Sequence, residues 1–301
     1  MTEPRSISFN RISLNAKIKN VARAMRLPAK AVRIDFFRQR FLARIFDDPT
    51  APWIVTGGGG LLARLPGARA SADLDLIRLD LEITDAIDEL RRLGVARPDI
   101  DPFHFQVDLS KQLTGDAAAG AELRVSVYHG ATVLEKFPLD LAVDKTIIGA
   151  IETLTPTAVL DLAGFSALPP VRLIPVPSQL ADKICAMFAR YGDTRIPSTR
   201  WRDLADICFI VGNFTFDAAL VCAALDFQKQ RRDLELPAVL QSPGPEWTRA
   251  YPALAKDTAL PAELHGLDAA LAFSGTCLNQ ILDGTRTTGH WDPDAHSWIE
   301  V

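Results

Sequence analysis

The chain has 301 residues, 48% of them apolar and 23% charged, a balance that suits a globular protein of one large domain or two lobes. No apolar run reaches the length of a membrane span and the polar, basic opening is not a signal peptide, so the expectation is a cytoplasmic protein with no membrane partner. The net charge of −4 hides an asymmetry: residues 1–45 carry 11 Lys and Arg against 2 Asp and Glu, a balance of +9 that leaves −13 for the rest, and such a local excess is a footprint for phosphate-rich partners.

Residues 13–46 read as two helices. Ser13 is the candidate cap of the first, whose apolar positions include Ile18, Val21, Ala22 and Met25. Leu27-Pro28 breaks it, and Ala29–Ile45 resumes with Ile34, Phe37, Phe41 and Ile45 at spacings of three and four. A short apolar strand from Trp53 then meets four glycines, Gly57 to Gly60, and a second strand brings Asp73 and Asp75 two residues apart. Glu82–Leu93 is an amphipathic helix that Gly94 ends. Phe103–Leu109, Ala121–His129 and Phe137–Val143 alternate as strands, with a loop at 114–120 between the first two. From about residue 155 the pattern turns helical, with a proline-punctuated connector at 169–177. Ser178 is a candidate cap for a helix to Arg190, and further helices follow from Thr199 to Gly212, Phe214 to Lys229 and Leu267 to Leu282, with a loop at 241–247. Cys185, Cys208, Cys222 and Cys277 show no CxxC spacing and read as free thiols of a reducing compartment. The fold class is therefore α+β: an N-terminal lobe over 1–160, made of basic helices to residue 46 and a mixed-sheet core over 47–160, and a helical C-terminal lobe over 161–301. A cleft between lobes is the natural substrate position.

Side chains alternate along a strand, so Asp73 and Asp75 share a face while Leu74 and Leu76 enter the core. Two adjacent carboxylates repel unless a cation neutralises them, and hard oxygen ligands suit Mg²⁺. Glycines just upstream let backbone N–H groups approach phosphate oxygens. A phosphate cradle followed by a metal pair reads as a nucleotidyltransferase site using an NTP. Such chemistry needs about three acidic ligands; Asp140, mid-strand among apolar neighbours, is the third candidate, with Asp144 the alternative. Lys183 and Arg190, seven apart on the Ser178 helix, share a face and are candidate triphosphate contacts. Arg200, Asp203 and Asp206 follow at spacings of three, where local pairing of solvated charges is the plainer reading.

The order Gly57-Gly58, Arg69-Ala-Ser71-Ala-Asp73-Leu-Asp75, Asp140, Lys183 to Arg190, then Arg200-Trp-Arg-Asp203-Leu-Ala-Asp206 resembles the AbiEii/MenT family of nucleotidyltransferase-like toxins from bacterial toxin–antitoxin systems. The likeness covers most of the chain, including the basic opening and the Phe41-Leu-Ala-Arg44 pattern. It implies a polymerase beta-like sheet lobe with Ser71, Asp73, Lys183 and either Asp203 or Asp206 at active-site positions. Two departures stand out. Four glycines replace the usual pair, and the last acidic position is ambiguous by three residues.

The implied activity is transfer of nucleotides from NTP to the 3′ acceptor end of tRNA, which blocks aminoacylation and hence translation. On that reading Asp73, Asp75 and Asp140 hold Mg²⁺, while Gly57, Gly58, Ser71, Lys183 and Arg190 bind the nucleotide. Lys17, Lys19, Arg23, Arg26 and Arg33 supply salt-sensitive contacts to RNA. The resemblance also implies a cognate antitoxin as partner, which either phosphorylates Ser71 as an antitoxin kinase or occludes the site, with Ser71 in the second case a plain serine that positions phosphate; the toxin is expected to be a monomer. Two alternatives stand beside this: the same fold acting on a small-molecule or protein hydroxyl, and a non-catalytic, partner-binding member.

Overall fold

The computed structural model describes residues 9–71, 73–113, 120–143, 145–192 and 195–300. The chain forms two compact units, Met1–Lys145 with Glu152–Leu173, and Thr146–Ile151 with Ile174–Val301.

In the first unit, α1 (Arg11–Met25) begins three residues earlier than Ser13 would set it, because the Asn10 side chain accepts from the Ile12 and Ser13 N–H groups at 2.9 and 3.1 Å. Its Leu14, Ile18 and Ala22 stripe is buried, and Arg26 in the left-handed conformation ends it. The next helix, α2 (Ala29–Ile45), buries Val32, Phe36, Phe37, Phe41 and Ile45. It also buries three arginines of the basic opening, Arg38, Arg40 and Arg44. Arg44 pairs with Asp101 at 2.5 Å and donates to the carbonyls of Val95 and Phe103 at 2.6 and 2.7 Å. Arg40 reaches the same Asp101 at 3.4 Å and the Ser166 hydroxyl at 2.7 Å. Planar guanidinium groups with five donors suit such buried pairing, so part of the N-terminal charge is structural.

The sheet comprises β1 (Trp53–Thr56), β2 (Leu74–Arg78), β3 (His104–Leu113), β4 (Gly120–His129), β5 (Thr132–Val143), β6 (Glu152–Leu154) and β7 (Val171–Leu173). Between β1 and β2 lies α3 (Gly57–Arg64), and α4 (Ile83–Leu93) follows β2. Strand order is β3-β4-β5-β2-β1-β7-β6. The β2–β5 and β1–β7 pairs are parallel and the others antiparallel. The aromatic residues of α2 pack on this sheet, Phe41 stacking on Phe105 with centroids 5.0 Å apart. Strand β5 starts five residues before Phe137, since Gly130 at φ +56° makes a tight turn from β4. The helical pattern expected from residue 155 does not form there. Among the described residues the next helix begins only at Val176, after prolines 156, 169, 170 and 175.

In the second unit α5 (Val176–Phe188) starts after Pro175, so Ser178 is not its cap. The Ser178 hydroxyl instead accepts from the Ile148 N–H at 2.9 Å and donates to the Ile148 carbonyl at 2.7 Å. A hairpin, β8 (Arg190–Tyr191) and β9 (Ile196–Pro197), precedes α6 (Trp201–Asn213). Then come β10 (Phe216–Asp217), α7 (Ala218–Arg232), α8 (Trp247–Ala255), α9 (Leu267–Leu282), β11 (His290–Asp292) and β12 (Ser297–Ile299). Pro252 lies inside α8, which hid that helix in the sequence. The strands β10, β11 and β12 form a small separate sheet.

Candidate active site

The site grows from the junction of β1 and α3. Gly57 sits at φ +55°, and a Cβ there would lie 2.0 Å from Asp75 Oδ2. A Cβ on Gly58 would lie 2.4 Å from Ser71 Oγ and 2.9 Å from an Arg69 guanidinium nitrogen. Gly59 meets only Val55 and Leu74 at 3.4 and 3.6 Å, ordinary contact. Gly57 and Gly58 are thus the pair that packs against polar side chains. They form the first turn of α3, which has no side-chain cap, and N–H groups at a helix start favour anionic oxygens.

Asp75 pairs in register with Thr56 on β1 and with Asp140 on β5. Residues opposite each other in a parallel pair point to one face, so the strand pairing itself brings Asp140 beside Asp75. Asp73 lies in the bend just before β2. One oxygen from each of Asp73, Asp75 and Asp140 falls within 4.8 Å of the others, with Asp140 exposed and the other two half-buried. Oxygens on opposite sides of one Mg²⁺ stand about 4.2 Å apart at ordinary bond lengths, so this donor set fits a divalent cation. Asp144, the alternative third ligand, lies outside the described residues. The Ser71 hydroxyl donates to the Asp73 carbonyl at 3.0 Å and is 3.4 Å from Asp73 Oδ1.

Three charged residues near this cluster had been given no role from the sequence. Arg38 of α2 donates to the Ser71 carbonyl at 3.2 Å, pairs with Asp35 at 3.4 Å and lies 5.6 Å over the Phe137 ring. Burial lowers its pKa, and the charges of Asp35, Asp73 and Asp75 oppose that shift. Burial pushes the Asp35 carboxyl up to about 6, against the pull of Arg38. Arg69 stands against Gly58 and donates to the Ala70 carbonyl at 2.9 Å. The sequence held one available signal, that Arg38, Arg40 and Arg44 fall beside the phenylalanine stripe of α2.

Lys183, Asp203 and Asp206 gather in the second unit. Lys183 of α5 contacts Asp206 directly and Asp203 at 3.3 Å, and all three are buried. Arg200 adds a second cation, 2.6 Å from Asp203. Both aspartates therefore flank the lysine, and these are not solvated helix charges. Arg190 does not share the face of Lys183: α5 stops at Phe188, and Arg190 stands in β8, exposed, donating to the Arg195 carbonyl at 3.2 Å. Of the proposed RNA contacts, Lys17, Lys19, Arg23 and Arg26 are exposed, and Arg33 is half-buried. Lys17 donates to the Asp161 carbonyl at 3.2 Å.

The family model described as nucleotidyl transferase AbiEii toxin, type IV toxin–antitoxin system, matches residues 40–273. The chain belongs to the AbiEii family. Among solved structures it is similar to MenT4, a nucleotidyltransferase toxin from Mycobacterium tuberculosis, with a TM-score of 0.55 and 18% identity over 88% of each chain. It is also similar to a putative nucleotidyltransferase from H. pylori (TM-score 0.45, 16% identity, 92% of this chain and 99% of that one). JHP933 from Helicobacter pylori matches with a TM-score of 0.44 and 16% identity over 92% of this chain and 96% of the other. No curated protein matches significantly. The fold is that of nucleotidyltransferase toxins, and membership of a toxin–antitoxin family implies a cognate antitoxin. No described helix is long and apolar enough to cross a membrane.

Proposed function

We propose that this AbiEii-family toxin transfers nucleotides from NTP to the 3′-hydroxyl at the acceptor end of tRNA, with Mg²⁺ held by Asp73, Asp75 and Asp140. The observation that carries this reading is the convergence of three carboxylates beside Gly57, Gly58 and Ser71. A divalent ion bound there supplies Lewis acidity toward phosphate oxygens and the acceptor hydroxyl. The chain's own groups do the rest. The α3 N-terminus and the Ser71 hydroxyl orient phosphate oxygens, with no Cβ at 57 or 58 in the way. Arg38, fixed behind the carboxylates, offsets part of their mutual repulsion. In the second unit Lys183, buried between Asp203 and Asp206, is a further residue required for transfer on this reading. The exposed basic residues of α1 meet the RNA backbone.

Incubating the pure protein with each labelled NTP, Mg²⁺ and total tRNA tests this reading. Label at tRNA 3′ ends that EDTA abolishes is the expected result. Label on a small molecule or a protein, with none on RNA, would move the acceptor to the alternative reading.

A further inference from the structure

After α5 ends, the chain makes the β8–β9 hairpin before α6 starts. Tyr191 and Ile196 face each other across this hairpin, 49% and 58% exposed. Two strands of two residues have little stability of their own, so the anchoring is informative. Arg190 closes the hairpin on the Arg195 carbonyl at 3.2 Å. Ser198, next after β9, is buried, and its carbonyl accepts the Trp247 indole N–H at 2.8 Å. Its hydroxyl accepts the Arg200 N–H at 3.2 Å. The base is firmly held while an aromatic ring and an isoleucine are presented to water.

Charge narrows the choice of partner. Residues 188–202 carry Arg190, Arg195, Arg200 and Arg202 against Asp193, with Arg200 paired to Asp203. All four arginines are exposed. Beside the hairpin lies a groove of about 620 Å³, lined by Phe188, Arg190 and Arg195 and by Asp233 and Glu235 from the segment after α7. That volume is in the range that holds a nucleotide-sized ligand. The arginines suit phosphates, and the carboxylates repel phosphate but accept from the amino groups of bases. An exposed aromatic beside arginines is how proteins hold unpaired nucleotides without reading a duplex.

We propose that the β8–β9 hairpin grips the single-stranded end of the RNA acceptor, with Tyr191 stacking on a base and Arg190 and Arg195 holding adjacent phosphates. The proposal rests on the RNA-acceptor reading for its role in transfer, although single-stranded RNA binding stands apart from it.

The test uses the full chain carrying Tyr191→Ala, Tyr191→Phe or Arg195→Glu. It measures the KM for tRNA and for NTP, and the Kd for a fluorescent single-stranded RNA oligonucleotide at several salt concentrations. Tyr191→Ala should raise the tRNA KM and the oligonucleotide Kd about tenfold or more, leave the NTP KM in place, and be largely rescued by Tyr191→Phe. Arg195→Glu should flatten the salt dependence of oligonucleotide binding. A wild-type oligonucleotide Kd in a folded Tyr191→Ala protein would overturn the hairpin assignment even if tRNA is labelled. If wild-type protein labels no RNA, yet binds the oligonucleotide through Tyr191, the acceptor reading fails and the hairpin assignment survives.

Discussion

Asp75 touches both halves of the first-unit site, the glycine turn through Gly57 and the acidic cluster through Asp140. Under the proposed function, Asp73→Ala should reduce transfer at least about 100-fold, beyond the 10–100-fold that residues supporting a metal site cost. Removing one of three repelling carboxylates also relieves repulsion, so the melting temperature without metal should not fall. A transfer assay beside a thermal melt decides this, and a folded Asp73→Ala protein with wild-type rate would remove Asp73 from the site. Ser71 belongs to the same neighbourhood. A phosphate there adds about −1.5 to −2 charge beside Asp73, so Ser71→Asp should be inactive; where the antitoxin acts as a kinase rather than by occlusion, co-expression with it should add one phosphate to the intact mass. An unmodified Ser71 in neutralised protein would count against that regulation.

Asp35 makes a pH prediction. Its folded pKa, about 6, exceeds the ordinary value of 3.8, so the folded state holds its proton more tightly than the unfolded chain does. Its contribution to stability is fully favourable below about pH 4 and is lost as pH rises through 6, a change on the order of 2–3 kcal/mol. Urea denaturation from pH 4 to 7 should show this fall in wild type relative to Asp35→Asn; parallel curves would refute it. The Asp-x-Asp pair and the glycines were legible because strand alternation and glycine chemistry act locally. Asp35 and Arg38 were not, since their environment comes from α2 packing on a sheet that the chain builds later.

Helix α2 shows the same limit at the scale of an element. Its apolar stripe predicted a helix over 29–45, and the helix forms there, yet composition counted Arg38, Arg40 and Arg44 as surface charge when all three point inward. Among the described residues of the basic opening, Lys17, Lys19, Arg23 and Arg26 on α1 and its end, and Lys30 at the start of α2, remain exposed. Reversing Lys19, Arg23 and Arg26 together should therefore lower the slope of log affinity for RNA against log salt, by about 0.7–0.9 for each phosphate no longer neutralised. NTP binding should be unchanged, and an unaltered slope would leave α1 a solvated helix.

The α5–α6 pair carries a sharper consequence. Lys183→Ala leaves Asp203 and Asp206 buried with their shared cation gone, a loss expected to cost about 3–5 kcal/mol. Loss of activity in that variant alone cannot separate chemistry from folding. Pairing Lys183→Met with Asp206→Leu should recover most of the melting temperature and none of the transfer. Transfer by the double variant would make the cluster purely structural. Helical spacing could not supply this, because Arg190 obeyed the seven-residue rule and yet the helix stopped two residues before it.

At the scale of the whole molecule, burial accounts for the thiols. It raises the Cys185 pKa to about 12 and that of Cys208 to about 11, and pushes Cys277 higher still, while Cys222 is only half-buried. Native protein treated with iodoacetamide at pH 8 should label at Cys222 alone, read by intact mass; rapid modification of all four would contradict the buried placement. The α+β character and the helical second half were readable from periodicity, which is a property of neighbours along the chain. The threading between units was not, because strand pairing over long separations leaves no local mark. That threading bears on synthesis at the ribosome. Strand β1 forms early, but its parallel neighbour β7 ends at Leu173, after the chain has already contributed 146–151 to the other unit. The sheet bearing the acidic cluster cannot close that side until more than half the polypeptide has been translated. A message cut short before that point leaves β1 with a bare edge and an unfinished site, so for a family of growth-inhibiting proteins incomplete translation products should be harmless.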